Sequence, residues 1–111
     1  MNTDTPLFHG VDIGSVHVPG NLFLAPLAGY TDSPFRSICS SMGASIACSE
    51  MVSAEGLARG NEGTEELLKR FEGEEQFIIQ LFGSQVDQIE RALPNLLPYH
   101  PTVIDFNCGC P

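Results

Sequence analysis

Four short apolar runs recur along the chain at the spacing of strand–helix units, and this limits the architecture more than any other feature. They lie at residues 22–25, 44–48, 77–81 and 103–106. Runs of this length suit strands buried on both faces, as parallel sheets require, although periodicity alone does not separate them from a buried helical segment. The segments between them have helical character. Parallel neighbours need a crossover connection, so this alternation predicts a parallel sheet with right-handed helical crossovers, each unit about 30 residues. Ahead of the first run, residues 8–18 alternate weakly. Val11, Ile13, Val16 and Val18 are apolar, with Gly14-Ser15 between the pairs, as in a small β-hairpin. The expected order is a hairpin followed by β-α-β-α-β-α-β.

The helices carry start and stop signals. Thr31 or Asp32 can cap the first, and Pro34 falls in its first turn, where a missing N–H costs nothing. Phe35, Ile38, Cys39 and Met42 share one apolar face, and Gly43 stands where a terminating glycine belongs. A short helical turn is expected after Ser53 in the looser stretch 49–63. Residues 64–70 read as a helix, acidic early and basic late, which suits the helix dipole. Ser84 can cap a last helix with Val86, Ile89 and Leu93 on one face, which Pro94 should end or kink. The acidic stretch 62–75 reads as a solvated helix and turn.

Composition excludes several classes. With 42% hydrophobic and 17% charged residues, the 111-residue chain is globular rather than disordered or fibrous. It has no run of eighteen apolar residues, and residues 1–6 lack the basic and apolar regions of a secretory signal, so the expected setting is cytoplasmic. Four cysteines, Cys39, Cys48, Cys108 and Cys110, are then expected as reduced thiols, with Cys39 and Cys48 in the core. A formal net charge of −9 with five scattered basic residues gives no patch for a phosphate backbone. Cys108 and Cys110 supply half a zinc site at best, so no metal is expected.

Four motifs sit at the ends of the proposed strands. They are Ala25-Pro26-Leu27-Ala28-Gly29-Tyr30-Thr31-Asp32-Ser33-Pro34-Phe35-Arg36, Ser49-Glu50-Met51-Val52, Gln80-Leu81-Phe82-Gly83 and Asp105-Phe106-Asn107-Cys108-Gly109-Cys110-Pro111. In parallel α/β folds the binding site lies at the C-terminal ends of the strands. Each motif alone is weak. Together and in this order they resemble the tRNA-dihydrouridine synthase family, from about Leu22 to Pro111, with the first and last motifs the most specific.

The resemblance implies an FMN-binding (β/α)8 TIM barrel, of which this chain holds the hairpin (8–18) and about the first four β/α units (22–111). A complete barrel needs about 250 residues. It also implies reduction of a tRNA uridine C5–C6 double bond, with electrons from NAD(P)H passing through FMN. Pro26, Leu27 and Ala28 match the segment lying against the flavin ring, with Leu27 where many members have Met. Gln80 matches a glutamine on the isoalloxazine edge, and Asn107 an asparagine near the target uracil. Cys110 matches the catalytic cysteine, a general acid for the ring carbon opposite the hydride. Cys108 matches a variable position and receives no role. By the family pattern, the remaining flavin contacts, the phosphate grip and a tRNA-binding domain lie outside this chain. That accounts for the acidic charge and leads to the expectation of an inactive fragment.

Other readings remain at this stage. Cys110 could be a structural thiol, and Gln80 could simply bond a neighbouring strand. Arg36 reads best as a salt bridge tying the first helix to the barrel, and Glu50 could act similarly. His9, His17 and His100 lie outside the motifs. At the level of the chain, the alternatives are another flavin-dependent TIM-barrel oxidoreductase, or a non-catalytic half-barrel that only associates with another chain.

Overall fold

The computed structural model describes residues 6–109. A hairpin comes first: β1 (Val11–Ile13) pairs antiparallel with β2 (Val16–Val18). Every later pairing is parallel. Strand β3 (Phe23–Leu24) pairs with β4 (Ile46–Ala47), and β6 (Ile78–Phe82) lies between β5 (Val52–Ser53) and β7 (Val103–Phe106). A parallel bridge from Cys48 to Ile78 joins β4 to β6. The pairings therefore run β3, β4 with β5, β6, β7 in chain order, a sequential parallel α/β arrangement.

The second strand differs from the single run expected at 44–48. It is interrupted and resumes as β5. From Cys48 to Val52 the chain takes four steps, whereas the partner takes three, from Ile78 to Leu81. Ser49 is the cause. Its backbone N–H still donates to the Ile78 carbonyl, but its hydroxyl, not a backbone oxygen, accepts the Gln80 N–H at 3.1 Å. The extra residue acts as a bulge does, breaking the alternation and re-aiming the side chains beside it, here Glu50 and Met51.

Helix α1 (Ser33–Ser41) follows its start and stop signals. Asp32 caps it by accepting the Phe35 N–H, and Gly43 follows the C-cap at φ +113°, a conformation that favours glycine. Helix α2 (Ala54–Ala58) is capped by Ser53 as expected. Helix α3 spans Glu62–Leu67, starting two residues earlier than the charge pattern suggests because Asn61 caps it, and it ends before Lys69 and Arg70. Helix α4 (Val86–Leu96) begins after Gln85 with no side-chain cap, so Ser84 is not its cap. It also runs through Pro94 for two residues, then passes into a 3₁₀ turn at Leu97–Tyr99. Pro94 and Glu90, whose carbonyl loses its helical partner, are both exposed, so water can satisfy the loss.

Two cores lie on opposite faces of the sheet. On one, Phe77, Ile79 and Leu81 of β6 and its approach, with Val52 of β5, pack with Leu57, Leu68, Ala92 and Leu96 from the helical layer. On the other, Ile46, Cys48 and Ile78 meet Val18, with Ile13, Val16 and Val103 at the margin. The hairpin thus covers the second face near the strands' N-terminal ends. The α1 face of Phe35, Ile38 and Met42 is exposed, contrary to the expected packing; Cys39 is only half-buried.

What α1 buries instead is Arg36, fully enclosed and paired with Glu74 through two hydrogen bonds of 2.9 and 3.0 Å. Two further N–H groups reach the carbonyls of Thr31 and Lys69, both at 2.9 Å, and its guanidinium lies 4.5 Å from the Phe77 ring centroid. A guanidinium this well partnered tolerates burial where a bare charge would not. Arg36 therefore forms the expected salt bridge and ties α1 to the loop that leads into β6. Glu74 is the exception in the acidic stretch 62–75: it is buried rather than solvated because it answers Arg36.

Candidate active site

Side chains on parallel strands share a face when they are register partners. Gln80 and Asp105 are partners on β6 and β7, and Asn107 lies two residues further along the same face. The three make a continuous chain of contacts. Gln80, 6% exposed, donates from Nε2 to Asp105 Oδ2 at 2.6 Å, and its Oε1 accepts from Asn107 Nδ2 at 3.4 Å. Asn107 Nδ2 also lies 3.0 Å from Met51 Sδ, and its Oδ1 accepts the Gly109 N–H at 2.9 Å. Gln80 does bond the neighbouring strand through Asp105, as the plain reading had it, and a second contact, through Oε1, links it to Asn107.

Beside this network stands the turn after β3. The Tyr30 and Thr31 N–H groups both donate to the Leu27 carbonyl at 3.0 Å, while the Thr31 hydroxyl accepts the Leu27 N–H at 3.1 Å. Gly29 takes φ +80°, and its N–H donates to Glu50 Oε1 at 2.6 Å. Glu50 is thus a brace on this turn rather than half of an ion pair. Arg36 adds a second brace by donating to the Thr31 carbonyl. Held this way, the turn leaves Leu27 and Ala28 exposed and Pro26 half-exposed. A braced backbone with exposed apolar atoms suits a flat ring better than a charged ligand. Glu50 leads through Ser49 to the Gln80 backbone, so the turn and the amide pair belong to one connected region.

Cys48 lies below the amides on the same face. Burial first, and the Asp105 charge second, push its thiol up to about 11, so it stays protonated and inert at neutral pH. Its core placement matches expectation. Cys108 is exposed, and Cys110 lies outside the described residues. A cavity of about 290 Å³ opens at the C-terminal ends of β5, β6 and β7, lined by Ser53, Phe82, Ser84, Gln88 and Asn107 among others. A second hollow, about 270 Å³, lies toward the strands' N-terminal ends beside Arg36 and Glu74, whose polar atoms are already paired.

Asp105, Glu50, Thr31 and Met51 were not singled out as site residues from sequence. Asp105 carried a usable signal, two residues before Asn107 on a strand and hence on its face. The contacts of Glu50 and Met51 depend on the bulge at Ser49, which periodicity does not reveal.

Residues 23–111 match the family model described as dihydrouridine synthase (Dus). The chain belongs to the dihydrouridine synthase family. It is 42% identical over 106 residues to a probable tRNA-dihydrouridine synthase of Treponema pallidum, covering 95% of this chain and 31% of that protein. A probable tRNA-dihydrouridine synthase of Helicobacter pylori (strain J99) is 43% identical over 91 residues, covering 81% and 28%. A tRNA-dihydrouridine synthase B of Pasteurella multocida is 35% identical over 99 residues, covering 89% and 30%. The chain thus spans about three-tenths of the length of these curated relatives. The family match includes the turn after β3, Gln80 and Asn107. Among the described residues no helix is long and apolar enough to cross a membrane, and no group of three or more His, Cys, Asp and Glu could hold a metal ion.

Proposed function

We propose that this chain forms the opening part of the FMN-binding (β/α)8 barrel of an enzyme that reduces a tRNA uridine to dihydrouridine at the expense of NAD(P)H. The observation that carries this reading is the direct contact of the Gln80 and Asn107 amides on one sheet face, beside the braced turn at residues 26–28. Two amides offer donors and acceptors suited to imide edges, and both an isoalloxazine and a uracil carry such an edge. When bound, FMN supplies the hydride.

The residues of this chain do the rest of the work assigned to them here. Pro26, Leu27 and Ala28 form an apolar wall for the ring, and Gln80 orients its polar edge. Asn107 holds the uracil, which must leave the RNA stack to reach such a depth. Cys110 donates the proton to the ring carbon opposite the one that receives hydride, and Asn107, three residues before it, sets where the ring lies. The acidic charge of this chain leaves tRNA contact to other parts of the native polypeptide, and the 111-residue chain alone is proposed to be inactive.

The test uses the native polypeptide that carries this segment, with unmodified tRNA, FMN and NADPH. Dihydrouridine should form, and Cys110→Ala should slow it about 10²–10⁴-fold, the usual weight of a general acid. Reduction of free pyrimidines with no activity on tRNA would reject tRNA as the substrate. A variant with unchanged rate would reject the role of Cys110.

A further inference from the structure

The amide pair is directional, and the direction has an identifiable source. A carboxylate only accepts hydrogen bonds, so the group that Gln80 turns toward Asp105 must be its Nε2, 2.6 Å away. This leaves Oε1 on the other side, where Asn107 Nδ2 approaches. Asn107 must then point its Oδ1 away, where the Gly109 N–H donates to it. The three contacts form a one-way chain: Gly109 N–H to Asn107, Asn107 to Gln80, Gln80 to Asp105. Reversing either amide would put an oxygen against Asp105 or an NH₂ against the Gly109 N–H.

We infer that Asp105 is the positioning residue of this site, fixing the orientation of both the Gln80 and Asn107 amides. The inference rests on the proposed flavin and uracil roles of those amides. Asp105 touches neither ligand in this scheme. Its carboxylate holds one Nε2 hydrogen, so Gln80 can present its other N–H and its oxygen to the flavin imide in one order only. The same constraint, passed on through Gln80 Oε1, decides which atoms Asn107 turns toward the uracil. Asp105 is half-buried on a strand between flanking residues, and its register partner is Gln80 itself, so the contact is set by the sheet and not by a mobile loop. The hydrogen-bond series starts at Gly109, which precedes the proposed acid Cys110 in sequence, and joins the cofactor residue to the substrate residue.

Asp105→Asn is the informative change, being isosteric but able to present either oxygen or nitrogen to Gln80. It removes the rule that orders the chain while keeping the volume. In the native polypeptide, Asp105→Asn should weaken FMN binding about 10- to 150-fold, the range of one hydrogen bond to a charged group. Asp105 acts through Gln80, so the same change in a Gln80→Ala background should have little further effect, a non-additivity that a general structural role would not produce. Selective ¹⁵N-glutamine labelling supplies a readout that needs no flavin. One Gln80 side-chain proton should be shifted downfield and protected from exchange, and Asp105→Asn should abolish both. Equal losses of FMN affinity with and without Gln80 would overturn the positioning role, as would a Gln80 amide that Asp105→Asn leaves unchanged. If the wild-type protein binds no FMN while the Gln80 amide remains protected, the flavin reading fails and its positioning consequence with it, although the hydrogen bond itself stands.

Discussion

Helices α1 and α4 carry the same kind of sequence signature and bury opposite things. Each has an apolar stripe at helical spacing. On α4 most of the stripe does what the pattern predicts: Ile89 and Leu93 pack against the core beside the fully buried Ala92 and Leu96, while Val86, the first member expected, is exposed. On α1 the stripe faces outward, Ile38 at 59% and Met42 at 82% exposed, and the buried member is Arg36. Amphipathic spacing reports that a helix has two chemically different faces. Which face is covered depends on what the neighbouring layers supply, and here the loop after α3 supplies Glu74, a carbonyl at Lys69 and the Phe77 ring.

The sharpest way to break this contrast is at Arg36. Arg36→Met keeps length and helix propensity but leaves Glu74 buried without its partner and the Thr31 and Lys69 carbonyls without a donor. Removal of one member of a buried pair costs about 3–5 kcal/mol. The expected outcome in denaturant titration is a loss of that size, partly restored in Arg36→Met/Glu74→Leu, where no charge is stranded. If the double variant is no better than the single, the cost lies in the two carbonyls and not in the orphaned carboxylate. The turn that Arg36 braces through Thr31 should loosen in either case.

The sequence made much of this legible, and the rest was hidden for specific reasons. The parallel order of the strands, the Asp32 cap, the Gly43 stop and the Ser53-capped turn follow from local rules that depend on a few adjacent residues, whereas β5 was not expected as a strand. The Arg36 pairing was anticipated as a role, but its partner 38 residues away was not. An acidic run gives no sign of which carboxylate turns inward, so Glu74 read as solvated. The bulge at Ser49 replaces a backbone acceptor by a hydroxyl, and a serine at a strand end does not announce that choice. Gln80 and Asn107 were legible as separate positions. Their contact, and the part of Asp105 in ordering it, required the register between β6 and β7.

A change on α4 should cost nearly as much as the loss of Arg36. Leu96 has no exposed surface and lies in the larger core, against β6 and α2. Leu96→Ala should lower stability by about 2–5 kcal/mol, the range for a buried leucine whose cavity only partly closes. Stability against denaturant, with an unchanged slope, is the measurement. A loss below about 1 kcal/mol would mean that this core can collapse around the gap, and that α4 is held mainly by its neighbours α2 and the 3₁₀ turn.

The smallest effect is expected on the exposed stripe of α1, and it is the one that sharpens the contrast most. Ile38→Ser removes an apolar side chain from a position that touches little, so in the 111-residue chain its effect should stay within about 0.5 kcal/mol. The matching substitution in a full-length relative asks a different question. This chain spans about three-tenths of the length of the curated relatives it matches, so the surroundings of α1 can differ between the two proteins. An equally small effect there means the stripe faces solvent in both, and α1 is anchored by Arg36 alone. A loss above about 1 kcal/mol there, with none in the shorter chain, means that another segment covers Phe35, Ile38 and Met42, since only burial makes the removal of an apolar side chain costly. In that event α1 has two anchored faces, one polar and one apolar. The difference between the helices then lies in when each stripe finds its cover, not in whether it has one.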